Sequence, residues 1–244
     1  MDLNKRMFRF LKYDLIQGLG VFWLVMLLVN ILSVVMSFTI VSNSTIGPMI
    51  SDQGSISFVG GNFFAAFIFF IIYGLEMYYE KFTLAIGFGG TRKNFYLNVL
   101  IDNLIVVLSF ATVQTILLKL EYYIISKSIY KPIVEYGWFN ILEDNILSII
   151  LILSFVFLVL VSITNLIGVL QYRFSYKFWI SLGVFALFLQ MTTNFIGRNI
   201  ENFIDYLTNL DYATPTLNIV AGGSLIILLA YSIGFLFIRK ANVK

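Results

Sequence analysis

Asn98, Asp102, Ser109, Thr112, Thr115 and Lys119 recur at steps of three, four or seven residues along one apolar stretch. On a helix of 3.6 residues per turn they form a nearly continuous polar stripe. An acid such as Asp102 costs about 2.5 to 3.5 kcal/mol at the centre of a membrane helix, so it must face the protein interior or water. Such a stripe can carry protons through a polar cavity, or it can supply interhelical hydrogen bonds worth roughly 0.6 kcal/mol each. No second acid stands opposite Asp102 at an obvious depth, and the structural role is preferred. Glu76 and Glu80, one turn apart and near Lys81, Arg92 and Lys93, read as an ion-paired helix end rather than a catalytic pair. The chain has no Cys and no His, which excludes thiol and imidazole catalysis, disulfides and the usual zinc sites. No metal site is expected. No acid pair, nucleophile with base or metal cluster converges, so a membrane-embedded enzyme is the least favoured reading.

The elements that must hold these residues follow from composition. Hydrophobic residues make up 59% of the 244 and charged residues only 12%, and the mean hydropathy is +0.91. Soluble domains carry about 25% charge. An all-α integral membrane protein is predicted, one transmembrane domain over residues 1–244, with six helices at about 19–42, 62–80, 95–118, 146–170, 178–197 and 217–238. The first apolar run is too long for a secretory h-region and lacks a small-residue cleavage site, so it counts as a span. Twelve of the sixteen Lys and Arg fall on one side of this plan, leaving Lys119, Lys127, Lys131 and Arg198 on the other. Both termini are therefore expected in the cytoplasm. The net charge of +3 mostly reflects this bias and does not argue for nucleic acid.

Residues 4–17 plot as an amphipathic helix, with Met7, Phe8, Leu11 and Leu15 on one arc and Lys5, Arg6, Arg9 and Lys12 on the other. Such a helix is expected to lie in the membrane interface, with Gly18 and Gly20 as the break before the first span. The outer loops are too small for a folded domain. The last of them carries Ile200, Phe203, Ile204, Leu207 and Leu210 at helical spacing, which predicts a short amphipathic helix at about 200–211. Between the second and third spans lies FTLAIGFGGTRKNF, a Gly-rich basic loop whose Phe82, Leu84, Ile86 and Phe88 need an apolar partner. It does not satisfy the G-x-x-x-x-G-K-[ST] phosphate loop, and no strand can precede it. Its glycines are expected to end a short helix, and Thr91 to cap the next span. Asn30, Ser33 and Ser37 share a face of the first span. Ala230 and Gly234 form one small-xxx-small pair in the last.

The ordering of these parts, with the segments FTLAIGFGGTRKNF and NLIGVLQYRF (residues 165–174), resembles the membrane subunit of a type 2 ATP-binding-cassette exporter, in its small six-span bacterial form. The resemblance covers essentially the whole chain. It implies that two such permease subunits, identical or related, pair in the cell membrane. Each would lay a coupling loop, residues 80–94, into a cleft of a separate cytoplasmic ATPase subunit. Glu80, Lys81, Phe82, Leu84, Ile86, Phe88, Arg92 and Lys93 would form the docking loop. ATP and magnesium would belong to the partner ATPase, with no cofactor bound by this chain. The amino-terminal helix would be the family's connecting helix, and the translocation path between protomers would include Asn30, Ser33, Ser37, Gln190 and Asn194. The cargo implied is an amphipathic or hydrophobic peptide or lipid-like compound. A secondary transporter using Asp102 as its proton carrier is the alternative, against which stands the absence of paired inverted halves or interrupted helices.

Overall fold

The computed structural model describes residues 3–39, 49–50, 55–127, 131–191 and 215–241. They form α1 (Leu3–Thr39), β1 (Met49–Ile50), β2 (Ser55–Ser57), α2 (Asn62–Glu76), a π-helical turn (Met77–Lys81), α3 (Phe82–Gly87), α4 (Arg92–Ile125), β3 (Lys131–Pro132), α5 (Ile146–Phe174), α6 (Tyr176–Met191) and α7 (Pro215–Arg239). Five helical stretches among these residues are long and apolar enough to cross a membrane: Leu15–Val35, Asn62–Gly87, Arg92–Ile125, Ile146–Phe174 and Val220–Arg239. The expected span at 178–197 begins within α6. Its far end, and the expected outer helix at 200–211, lie outside the described residues.

Helix α5 is the hub and packs against α2, α4 and α7. Two features let it do so. Gly168 meets Gly74 where α5 crosses α2, so closely that a Cβ on Gly168 would stand 2.2 Å from the Gly74 carbonyl oxygen. Aromatic rings fill the space beside this crossing: Phe110 of α4 lies 4.9 Å from both Phe22 of α1 and Phe70 of α2, ring centre to ring centre, and Phe70 lies 5.6 Å from Phe157 of α5. Small residues bring the backbones together and rings occupy the wider gaps. The outward faces are apolar, with Leu24, Leu28 and Ile31 of α1, Leu147 and Leu151 of α5, and Leu228 and Leu236 of α7 all exposed. Asp102, Asn103, Gln114, Ser162 and Asn165 are buried instead. Apolar outside and polar inside is the distribution a lipid solvent favours.

One expectation changes here. Helix α1 runs unbroken from Leu3 to Thr39, straight through Gly18 and Gly20, so the predicted turn between an interfacial helix and the first span is not formed. A glycine costs a helix interior only about 1 kcal/mol relative to alanine, which the long flanking helical runs overcome. The described residues are mostly helical, as expected, and add three very short strands. The strands form one small sheet in the order β1-β2-β3, antiparallel between β1 and β2 (Met49 opposite Ser57) and parallel between β2 and β3 (Ser55 opposite Lys131). Short connections that must leave and re-enter a bundle satisfy their backbone groups by pairing with each other.

Candidate functional site

The loop between the second and third spans is a built turn. Helix α2 passes into a single π turn at Met77–Lys81 and then into the six-residue α3. Tyr78, Lys81 and Phe82 stand at i, i+3 and i+4 on the inward face of this turn, each buried. The wider turn brings Lys81 onto the face of Glu76, five residues earlier, where their charged groups meet at 3.3 Å. The expected ion-paired helix end is thus present, with Lys81 as its cation. Phe82 stands 5.1 Å from the rings of both Phe95 (α4) and Tyr172 (α5).

After α3 the chain closes as a Schellman turn. The Gly90 N–H donates to the Ala85 carbonyl and the Gly89 N–H to that of Ile86, both at 2.9 Å, and Gly89 takes the left-handed φ of 84° that the turn requires. Thr91 then starts α4 as expected, its hydroxyl oxygen accepting from the Asn94 N–H at 3.2 Å. Of the apolar residues assigned to docking, only Leu84 and Phe88 project outward. Phe82 is buried, and Ile86 packs against the core. Their need for an apolar partner is met within the chain, which corrects the reading of all four as a docking surface. Lys81 is likewise inside. Glu80 and Lys93 are exposed, and Glu80 lines a shallow hollow of about 480 Å³ with Tyr79, Thr83, Leu84 and Tyr172. Arg92 turns to the end of α7, where its guanidinium donates to the Arg239 carbonyl at 3.1 Å. Arg173, from the NLIGVLQYRF segment, reaches the same helix end and donates to the Phe237 carbonyl at 3.3 Å.

The polar stripe of α4 divides. Ser109 and Thr115 donate to carbonyls of their own helix, those of Val106 at 2.8 Å and Ala111 at 2.7 Å, so neither bridges helices. Thr112 is exposed: the inward arc of α4 runs through Asp102, Val106, Phe110 and Gln114 at steps of four, which leaves Thr112 facing away. Asn98 is half-buried, and among the described residues its amide nitrogen has no hydrogen-bond partner. Asp102 is fully buried, and among the described residues neither carboxylate oxygen has a hydrogen-bond partner. Lys81 and Lys12 act on it electrostatically, and its own field reaches the buried Tyr73 hydroxyl. Lys119 donates to the carbonyls of Ile141 and Asp144 in the connection before α5.

Further hydrogen bonds that join helices come from residues outside the stripe. Tyr78 donates to Asn165 at 2.7 Å, Tyr96 donates to the Tyr231 carbonyl at 2.7 Å, and Asn103 donates to the Tyr231 hydroxyl at 3.1 Å. At the sheet end, Glu121 accepts from the backbone N–H groups of Phe58 and Val59 and from the Ser57 hydroxyl. Ser57 in turn accepts from Tyr136 and from the Gly60 N–H, both at 2.9 Å. Burial pushes the Tyr136 hydroxyl up to about 12, against the opposing effect of its bond to Ser57. Gln114 ties in the same turn by donating to the Val59 carbonyl and accepting from Asn62. An isolated Glu or Gln near a helix end carries no periodic signal, which is why these were missed.

On the expected translocation face, Asn30 is buried, and among the described residues its amide nitrogen has no hydrogen-bond partner. Ser33 donates to the Val29 carbonyl of its own helix at 2.9 Å. The side chains of Ser37 and Gln190, and all of Asn194, lie outside the described residues. No known protein family, curated protein or solved structure matches the chain.

Proposed function

We propose that this chain is the membrane-spanning subunit of an ATP-driven exporter of the type 2 ATP-binding-cassette class, paired in a bacterial cell membrane with a second protomer and with separate cytoplasmic ATPase subunits. The observation that carries the reading is the mount of α3. Leu84 on the six-residue α3 and Phe88 just after it are exposed, while the other side of the helix is fastened through Phe82 and Ala85 into the core. An apolar knob on a stiff base is suited to transmitting a push. Displacement of α3 by a docked ATPase acts on α4 and α5 through the Phe82 contacts to Phe95 and Tyr172. The hollow beside Leu84, lined by Tyr79, Glu80, Thr83 and Tyr172, offers room for a partner side chain. Helices α1 and α6 fit the paired arrangement, because most of the described α1 side chains and nearly all of the described α6 side chains are left uncovered by the other described residues. The cargo proposed is an amphipathic or hydrophobic peptide or lipid-like molecule. The double substitution Leu84→Asp with Phe88→Asp, co-expressed with a cassette ATPase identified by its co-purification with the parent chain, is expected to reduce ATPase co-purification at least tenfold while the permease still accumulates in the membrane. Undiminished association would overturn the docking role.

One observation favours a second reading, a proton-coupled transporter acting alone. Asp102 is a fully buried carboxyl with no hydrogen-bond partner among the described residues, and an ionisable group at membrane depth is by default a functional candidate. That reading expects the purified chain in proteoliposomes to move solute under an imposed pH gradient, and Asp102→Asn to stop it. Under the exporter reading, transport in the same vesicles requires the ATPase and ATP, and the pH gradient alone drives nothing.

A further inference from the structure

At the end of the bundle where α4 begins and α7 ends, a second hollow of about 440 Å³ is lined by Lys93, Phe235 and Arg239. Its walls are held in register. Arg92 fastens the Arg239 carbonyl, Tyr96 donates to the Tyr231 carbonyl at 2.7 Å, and the Tyr96 and Phe235 rings lie 5.6 Å apart. Gly234 permits this approach, since a Cβ there would stand 2.6 Å from the Tyr96 hydroxyl. Two cations from two different helices therefore line one hollow together with an aromatic ring. Both are exposed, and among the described residues neither makes an ion pair. Of the acids described at this end, Glu76 is paired with Lys81 and Glu80 lies at the other hollow. The first turn of α4 adds the positive end of a 34-residue helix.

The surface next to the hollow is apolar. Leu97 stands one turn beyond Lys93 on the same face of α4, and Leu236 lies three residues before Arg239 on α7; both are exposed. Exposed cations, a half-buried ring and aliphatic side chains farther along both helices match the parts of a phospholipid in order. We propose that this hollow binds the headgroup of an anionic phospholipid, with its phosphate between Lys93 and Arg239, its glycerol over Phe235 and an acyl chain along Leu97 and Leu236. Basic pockets between membrane helices suit such headgroups. A soluble phosphate would share the two cations but gain nothing from the leucines. The inference needs only the bilayer and stands apart from the exporter reading.

The test is native mass spectrometry of the delipidated full chain in detergent, titrated with dioleoyl phosphatidylglycerol or dioleoyl phosphatidylcholine. Phosphatidylglycerol is expected to bind in preference. K93Q/R239Q is expected to weaken it roughly thirtyfold, whereas K12Q/K177Q, which removes equal charge from other exposed positions, weakens it no more than about threefold. K93R/R239K, with charge retained, is expected to bind nearly as the parent, and K93Q alone serves if the double variant does not fold. Equal loss in K93Q/R239Q and K12Q/K177Q would show diffuse surface attraction and overturn the site, as would undiminished binding in K93Q/R239Q. Displacement of the lipid by equimolar glycerol 3-phosphate would overturn the lipid assignment in favour of a soluble phosphate.

Discussion

Gly168→Leu is expected to prevent the bundle from assembling, and even Gly168→Ala is expected to cost about 3 kcal/mol. A Cβ at this position meets the Gly74 carbonyl oxygen at 2.2 Å, the Gly74 carbonyl carbon at 2.9 Å and the Tyr78 ring at 2.9 Å. The first two are backbone atoms within α2 and cannot step aside as a flexible side chain would. The reciprocal change is blocked as well, because a Cβ on Gly74 would lie 2.8 Å from the Thr164 carbonyl oxygen. The helices must therefore move apart. Separation draws Phe70 away from Phe157 and stretches the Tyr78 to Asn165 hydrogen bond, so a single methyl disturbs both the aromatic packing and a buried polar contact. Thermal unfolding of the purified chain in detergent measures the effect. Gly18→Ala is the control: nothing lies within 4 Å of its added Cβ, and the gain in helix propensity is worth up to about 1 kcal/mol. If Gly168→Ala unfolded at the parental temperature, the close crossing of α2 and α5 would be wrong.

Glu121→Leu is expected to destabilise the sheet end of the fold by about 3 kcal/mol, through loss of the acceptor for two buried backbone N–H groups and one hydroxyl. Among the described residues the carboxylate is the acceptor given to Phe58 N–H and Val59 N–H, in the turn that leads into α2. Glu121→Gln keeps one oxygen and is expected to lose roughly half as much. Ser57→Ala removes the shared hydroxyl that joins Glu121, Gly60 and Tyr136, and because those bonds form one network the two substitutions should be non-additive by about 1 kcal/mol. The local signature is faster amide exchange across residues 58–60, read by hydrogen–deuterium exchange, before any change near α3. An effect of Glu121→Leu no larger than that of Thr112→Val, a change on the exposed face of α4, would remove Glu121 from this role.

The two substitutions act at residues of different legibility. Helices α2, α4, α5 and α7 were readable as long apolar runs, because the hydrophobic length needed to span a bilayer is a property of local composition. The stop and restart of the loop at residues 87–91 was equally readable. Gly89 is needed for a left-handed turn and Thr91 for a cap, and both are decided within a few residues of chain. The Glu76 to Lys81 pair was anticipated only as a cluster of charges. Its five-residue spacing suits no α-helix, and nothing in MYYEK announces the π turn that brings the two together.

Contacts between distant segments were hidden. Gly74 and Gly168 are ordinary glycines until α2 and α5 cross at them. Glu121 is an ordinary helix-end acid until residues 57–59 arrive, more than sixty positions away in the chain. The loop FTLAIGFGGTRKNF shows the division most plainly. Its sequence determined a short helix, a glycine turn and a capped restart, since those depend on backbone geometry and near neighbours. Which of its apolar residues face outward was decided by the tertiary structure alone. Phe82 turned in to meet Phe95 and Tyr172 while Leu84 and Phe88 remained exposed, because burial depends on which side of a six-residue helix the rest of the bundle occupies.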